Sequence, residues 1–136
     1  MSARSKARKA ALDLLYEADI KRTSVAALLE IRKNTLETLI RDYTVTLVEG
    51  VNSHKARIDE LIMTYARGWD FDRMPVIDRN ILRLGIYELL WEQELDSAVA
   101  IDQALELANT LSTDDSATYI NGVLGAINEI KGDLAL

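Results

Sequence analysis

Wound as a helix, GWDFDRMPVIDRNILRLGIYELLWEQ (residues 68–93) is apolar on nearly every side. At about 100° per residue, Ile77, Ile81 and Leu84 cover one side, Leu82, Ile86 and Leu89 another, and Tyr87 with Trp91 a third. A helix without a polar face has to be surrounded, by lipid or by protein. No apolar run in the chain approaches the roughly 18 residues of a membrane span. Protein must therefore enclose the segment, and it is expected to lie sandwiched between two other sets of helices.

The rest of the sequence supplies those helices. Pro75 is the only proline and there are six glycines, too few turn residues for a strand-rich domain. Pro75 is tolerable because it falls in the first turn of its helix, with Asp72 as a candidate cap. Upstream, Ala7, Ala10, Ala11, Leu14, Leu15 and Ala18 recur at helical spacing. Thr23 or Ser24 is placed to cap VAALLEIRK. From Thr35 to about Ala66 the pattern stays helical, with Gly50 weakening it and Asn52 or Ser53 placed to start a second helix. Downstream, Ser97 opens AVAIDQALELANTL, and Asp114, Asp115 and Ser116 offer caps for ATYINGVLGAINEI. Asn121-Gly122 suggests a turn by itself, but the stripe Ile120, Val123, Leu124, Ile127 and Ile130 runs straight through it. No repeat or linker divides the chain. The expectation is one all-α domain over residues 1–136, built from six or seven helices, and with 49% hydrophobic residues it can bury a real core.

The residues offer little to catalysis. There is no Cys, and His54 is the only histidine, read as a solvated residue near a helix start. Neither a di-iron Glu-x-x-His pair nor a Gly-rich phosphate loop is present. Asp59-Glu60 and Asp114-Asp115 read as a solvated face and a helix cap rather than an acid/base couple. The expectation is a non-enzyme without cofactor or metal, soluble and cytoplasmic. What stands out is the start. Arg4, Lys6, Arg8 and Lys9 fall within six residues of a chain with 16 Lys and Arg against 22 Asp and Glu, a net charge of -6. As exposed cations they could neutralise phosphates, or they could be a merely solvated terminus. Lys9, Leu12 and Tyr16 project onto one outward ridge, which reads as a docking surface or as ordinary exposed apolar residues.

ARKAALDLLYEAD, GWDFDRMPVIDRNILRLGIYELL and AIDQALELANTLSTDDSATYINGVL, in this order, cover nearly the whole chain and resemble the NusB family of bacterial transcription antitermination factors. The YELL and YINGVL segments are the specific signals. The resemblance implies about seven helices in two packed helical bundles. It also implies binding to a single-stranded boxA-type RNA together with NusE, a small-subunit ribosomal protein. Other antitermination factors and RNA polymerase would be reached indirectly, on nascent transcripts such as ribosomal RNA. It carries an RNA role to Arg4, Lys6, Arg8, Lys9, Asp115 and Tyr119, and a NusE-facing role to Tyr16 and Asp78, with Leu12 beside Tyr16 on the same ridge. This sequence departs from the family pattern in mixing lysines into its basic first helix, in IDQA with Asp102 and Gln103, in Asn109, and in Tyr119 for the commoner Phe. Lysine lacks the bidentate fork of arginine, which bears on RNA affinity. Two other readings of the same fold are a helical adaptor or homodimer without RNA contact, and the NusB-like part of an RNA methyltransferase if the chain is a fragment.

Overall fold

The computed structural model describes residues 2–35 and 39–136. Seven α-helices account for most of them: α1 (Ala3–Lys21), α2 (Val25–Lys33), α3 (Asp42–Ser53), α4 (Lys55–Tyr65), α5 (Val76–Trp91), α6 (Ser97–Leu111) and α7 (Asp114–Ile130). No strand occurs among the described residues.

Local chemistry sets the helix ends. Ser2 accepts a hydrogen bond from the Ser5 amide to open α1, and Ser24 does the same for Ala27 to open α2. Asp96, rather than Ser97, caps α6. Thr113 caps α7, so Asp114 and Asp115 stand in its first turn, where acids complement the helix dipole. Pro75 sits at the cap position of α5, one residue earlier than expected, and Asp72 belongs to a short 3₁₀ turn, Phe71–Arg73. The helix expected to begin near Thr35 begins at Asp42: residues 39–41 are non-helical, and 36–38 lie outside the described residues. The break between α3 and α4 falls at His54, next to the predicted Asn52 or Ser53. As the periodicity predicts, α7 runs unbroken through Asn121-Gly122.

Helix α5 is the centre of the molecule. Every residue from Asn80 to Leu90 is buried. Helices α1 and α3 pack on it from one side, with α2 joined to both, while α4, α6 and α7 pack on it from the other. These are the two bundles that the all-round apolar sequence required. Two glycines permit the closest approaches. A Cβ at Gly85 would come within 2.9 Å of Leu124 and 3.3 Å of Ala104, so its absence lets α5 settle against α6 and α7. A Cβ at Gly50 would lie 2.2 Å from the Tyr87 ring, which therefore lies directly on the α3 backbone.

Two expectations about exposure are corrected. Leu12 does not face outward but is 0% exposed, inside the core. Helix α1 packs against α2, α3 and α5 and also reaches α6 through Ser5 and Arg8, so its buried face is wider than one apolar stripe. His54 is half-buried rather than solvated, its ring stacked 4.1 Å from that of Trp91.

Candidate nucleic-acid interface

The basic start of α1 divides into one buried and three accessible cations. Arg4 and Lys6 are exposed, and Lys9 pairs with Asp13 one turn on, at 2.8 Å. Such a surface pair contributes little and leaves the lysine available. Arg8 is corrected: it is 4% exposed and cannot present itself to a phosphate. Its Nε donates to both carboxylate oxygens of Glu88 at 2.9 Å, and Nη1 donates to Gln103 Oε1 at 3.1 Å. Burial works against the Arg8 charge, but hydrogen bonding and attraction to Glu88 outweigh it and hold its pKa above the usual arginine value. Glu88 also accepts the Tyr43 hydroxyl at 2.5 Å. Burial and the Glu88 carboxylate both push the Tyr43 phenol up. The guanidinium of Arg4 lies over the Tyr43 ring, 3.9 Å from its centroid. Arg8 thus fixes the start of α1 against α5 and α6, and its neighbours face solvent from that fixed frame.

A second cluster forms at the start of α7. Asp115 is exposed; Tyr119, one turn on, is half-buried and donates its hydroxyl to the Arg67 carbonyl at 2.8 Å. The Tyr119 ring meets Trp69 edge-on, with centroids 4.5 Å apart and planes at 88°. Gly68, at φ 79, supplies the left-handed turn that leads into Trp69. Gly68, Trp69, Asp115, Ser116 and Tyr119 line an open cavity of about 300 Å³. The sequence reading missed Trp69. Its motif GWDFDR stood in the sequence, but only the fold brings residue 69 against residue 119.

Asp78 is corrected as well. It is 0% exposed, and its two carboxylate oxygens accept the hydroxyls of Ser112 at 2.7 Å and Ser116 at 2.8 Å. The first turn of α5 lies beneath the α6–α7 junction, so this acid ties three helices together from a fully buried position. Tyr16 is 40% exposed and Ile20, one turn further, 55%, so the outward apolar ridge is Tyr16–Ile20 rather than Leu12–Tyr16.

The two clusters do not meet. Arg8 touches Glu88, and Ser116 touches Asp78, ten residues or about 15 Å away along α5. Helix α6 bridges the interval, with Gln103 beside Arg8 and Ser112 beside Asp78. A small cleft of about 60 Å³, lined by Lys9, Glu106 and Thr110 among others, runs between α1 and α6.

The model of the NusB family matches residues 5–129. The chain belongs to the NusB family. A transcription antitermination protein NusB from Beutenbergia cavernae is 54% identical, with 93% of this chain and 90% of that protein covered. The fold of this NusB-family chain is similar to T. maritima NusB, with a TM-score of 0.82, 29% identity, and coverage of 98% and 99% of the two chains. It is also similar to a chain in a crystal structure of the antitermination factors NusB and NusE in complex with double-stranded RNA. There the TM-score is 0.79, the identity 26%, and the coverage 93% and 96%. Membership places the chain among non-enzymatic transcription antitermination factors. No helix is long and apolar enough to cross a membrane, and no group of His, Cys, Asp and Glu fit to hold a metal ion occurs among the described residues.

Proposed function

We propose that this NusB-family protein binds single-stranded boxA-type RNA together with NusE, in a cytoplasmic antitermination complex acting on nascent transcripts such as ribosomal RNA. The observation that carries the reading is the pairing of accessible cations on a fixed helix with an open aromatic corner, Trp69 and Tyr119, about 15 Å away along α5. Single-stranded RNA is held by cations along its backbone and by aromatic faces under its bases. Arg4, Lys6 and Lys9 serve the phosphates; Trp69 and Tyr119 receive a base. Asp115, unfavourable to phosphate, accepts hydrogen bonds from the amino edge of that base. Arg8 and Asp78 act indirectly, by holding α1 and the α6–α7 junction in place. Tyr16 and Ile20 form the exposed handle for NusE.

Few phosphate contacts give weak, salt-sensitive binding, which suits a protein that shares its RNA with a partner. Gel-shift titration with boxA-type RNA and NusE at two salt concentrations tests this. Trp69→Ala and Tyr119→Ala should each weaken binding by roughly 1–3 kcal/mol. Lys6→Ala with Lys9→Ala should flatten the log–log salt slope by about 1.4. Unchanged affinity and slope in these variants would overturn the RNA assignment. Retention of NusE by Tyr16→Asp in a pull-down would overturn the partner handle.

A further inference from the structure

We infer that the Tyr43 ring is a second base-stacking position, covered in the free protein by the Arg4 guanidinium, which an arriving nucleobase displaces toward the phosphate backbone. The inference rests on the RNA-binding reading above and adds to it a residue that neither the sequence motifs nor the aromatic corner pointed to.

The ring is held in place before any ligand arrives. Tyr43 lies in the first turn of α3, half-buried, with its hydroxyl bonded to Glu88, whose carboxylate is in turn gripped by buried Arg8. The phenol is anchored at its tip, which holds the ring plane before a base arrives. What covers the ring is only loosely committed. Arg4 is exposed and makes no ion pair with any described residue, and its guanidinium sits 3.9 Å from the ring centroid, the spacing at which a planar base would stack. Arg8, at 5.6 Å, is locked to Glu88 and cannot serve as a removable cover. An exposed cation–π contact is weaker than the stacking of a base on an aromatic ring. The exchange is therefore favourable, and the released guanidinium gains a phosphate oxygen, its preferred acceptor. The position also suits a strand. Tyr43 stands at the Glu88 end of α5 beside the basic start of α1, and the Trp69–Tyr119 corner stands at the other end. The two aromatic sites would hold separate bases, with the basic start of α1 at the Tyr43 end.

The test compares Tyr43→Leu, which removes the ring, with Tyr43→Phe, which keeps it and loses only the bond to Glu88. Binding to a short single-stranded boxA-type RNA, with NusE present, is followed by fluorescence anisotropy, and folding of each variant by circular dichroism. In parallel, unmodified protein is photo-crosslinked to iodouridine-substituted RNA and the adducts are mapped by mass spectrometry. Tyr43→Leu should weaken binding about 5- to 100-fold and Tyr43→Phe by no more than about twofold. A crosslink on Tyr43 is expected in the unmodified protein. Equal losses in both variants would mean that the ring acts only through Glu88, and would overturn the platform. So would a folded Tyr43→Leu that binds like the unmodified protein while Trp69→Ala still weakens binding; the RNA reading would then stand without it. Failure of the unmodified protein to bind RNA at all would remove the RNA reading itself. If Tyr43→Leu does not fold, the crosslink map decides, and absence of a Tyr43 adduct among other adducts overturns the inference.

Discussion

Near its C-terminal end α5 holds one buried carboxylate, Glu88, against one buried guanidinium, Arg8, with side chains 3% and 5% exposed. Nearer its start, Arg83 lies between two carboxylates, Asp59 at 2.8 Å and Asp19 at 2.6 Å, and also donates to Asn80 at 3.0 Å. Those two acids are 17% and 19% exposed. The first arrangement is a closed pair; the second has a spare acid and some access to water. Removing one member of a closed pair leaves an uncompensated buried charge, whereas Arg83 would keep a partner whichever acid were lost. The same helix thus has a brittle end and a tolerant one, and the brittle end is the one that positions the basic residues of α1.

Three substitutions put that contrast to the test. Glu88→Ala should have the largest effect, about 3–5 kcal/mol of stability in urea unfolding, because it strands Arg8 and frees the Tyr43 hydroxyl. If replacing Arg8 and Glu88 together by Met and Leu restores most of that loss, the penalty belongs to the orphaned charge; if it does not, the pair has a further role. Asp59→Ala should cost less, about 1–3 kcal/mol, since Arg83 retains Asp19 and Asn80. A loss as large as that of Glu88→Ala would end the distinction between the two ends. Asp19→Asn should have the smallest effect, at most about 1 kcal/mol near neutral pH, and should show itself chiefly in acid. Burial raises the Asp19 pKa, but the Asn80 hydrogen bond and the Arg83 charge outweigh it and hold the carboxyl below the usual 3.8. A depressed folded-state pKa contributes stability that is complete above the unfolded value and is lost as pH falls through the folded one. Thermal melts between neutral pH and about pH 2 should therefore show a shallower acid decline for Asp19→Asn than for the unmodified protein.

Much of the fold was legible because periodicity survives local contradictions. The all-round apolar pattern from Ile77 to Trp91 demanded cover on both sides, and α5 receives it. Burial on α1 was misjudged for a related reason. The sequence shows one apolar stripe, but a helix with neighbours on several sides buries residues at the stripe's edge, which takes in Leu12 and, one turn earlier, Arg8. A signal for Arg8 did exist in the sequence. Glu88, set within the otherwise apolar YELL stretch, would be buried and would need a cation. The candidate site was less legible. Tyr119 and Asp115 came from motif resemblance, whereas Trp69 and Tyr43 become neighbours of the named residues only through tertiary packing, over sequence separations that periodicity cannot bridge. Motif resemblance assigns Asp78 a partner-facing position but says nothing of its depth, because a motif gives position along a chain and not burial below it.

The anchoring of Arg8 also bears on the thermodynamics of any encounter with a nucleic acid. A basic arm that folds on binding carries a large entropic penalty and a negative heat-capacity change, both arising from the protein. Here the spacing of Arg4, Lys6 and Lys9 is already set by a helix tied to α5 and α6. The conformational restriction falls on the flexible polynucleotide, which has to adopt the charge spacing that the helix presents. Calorimetry of complex formation should accordingly show a small heat-capacity change for the size of the interface.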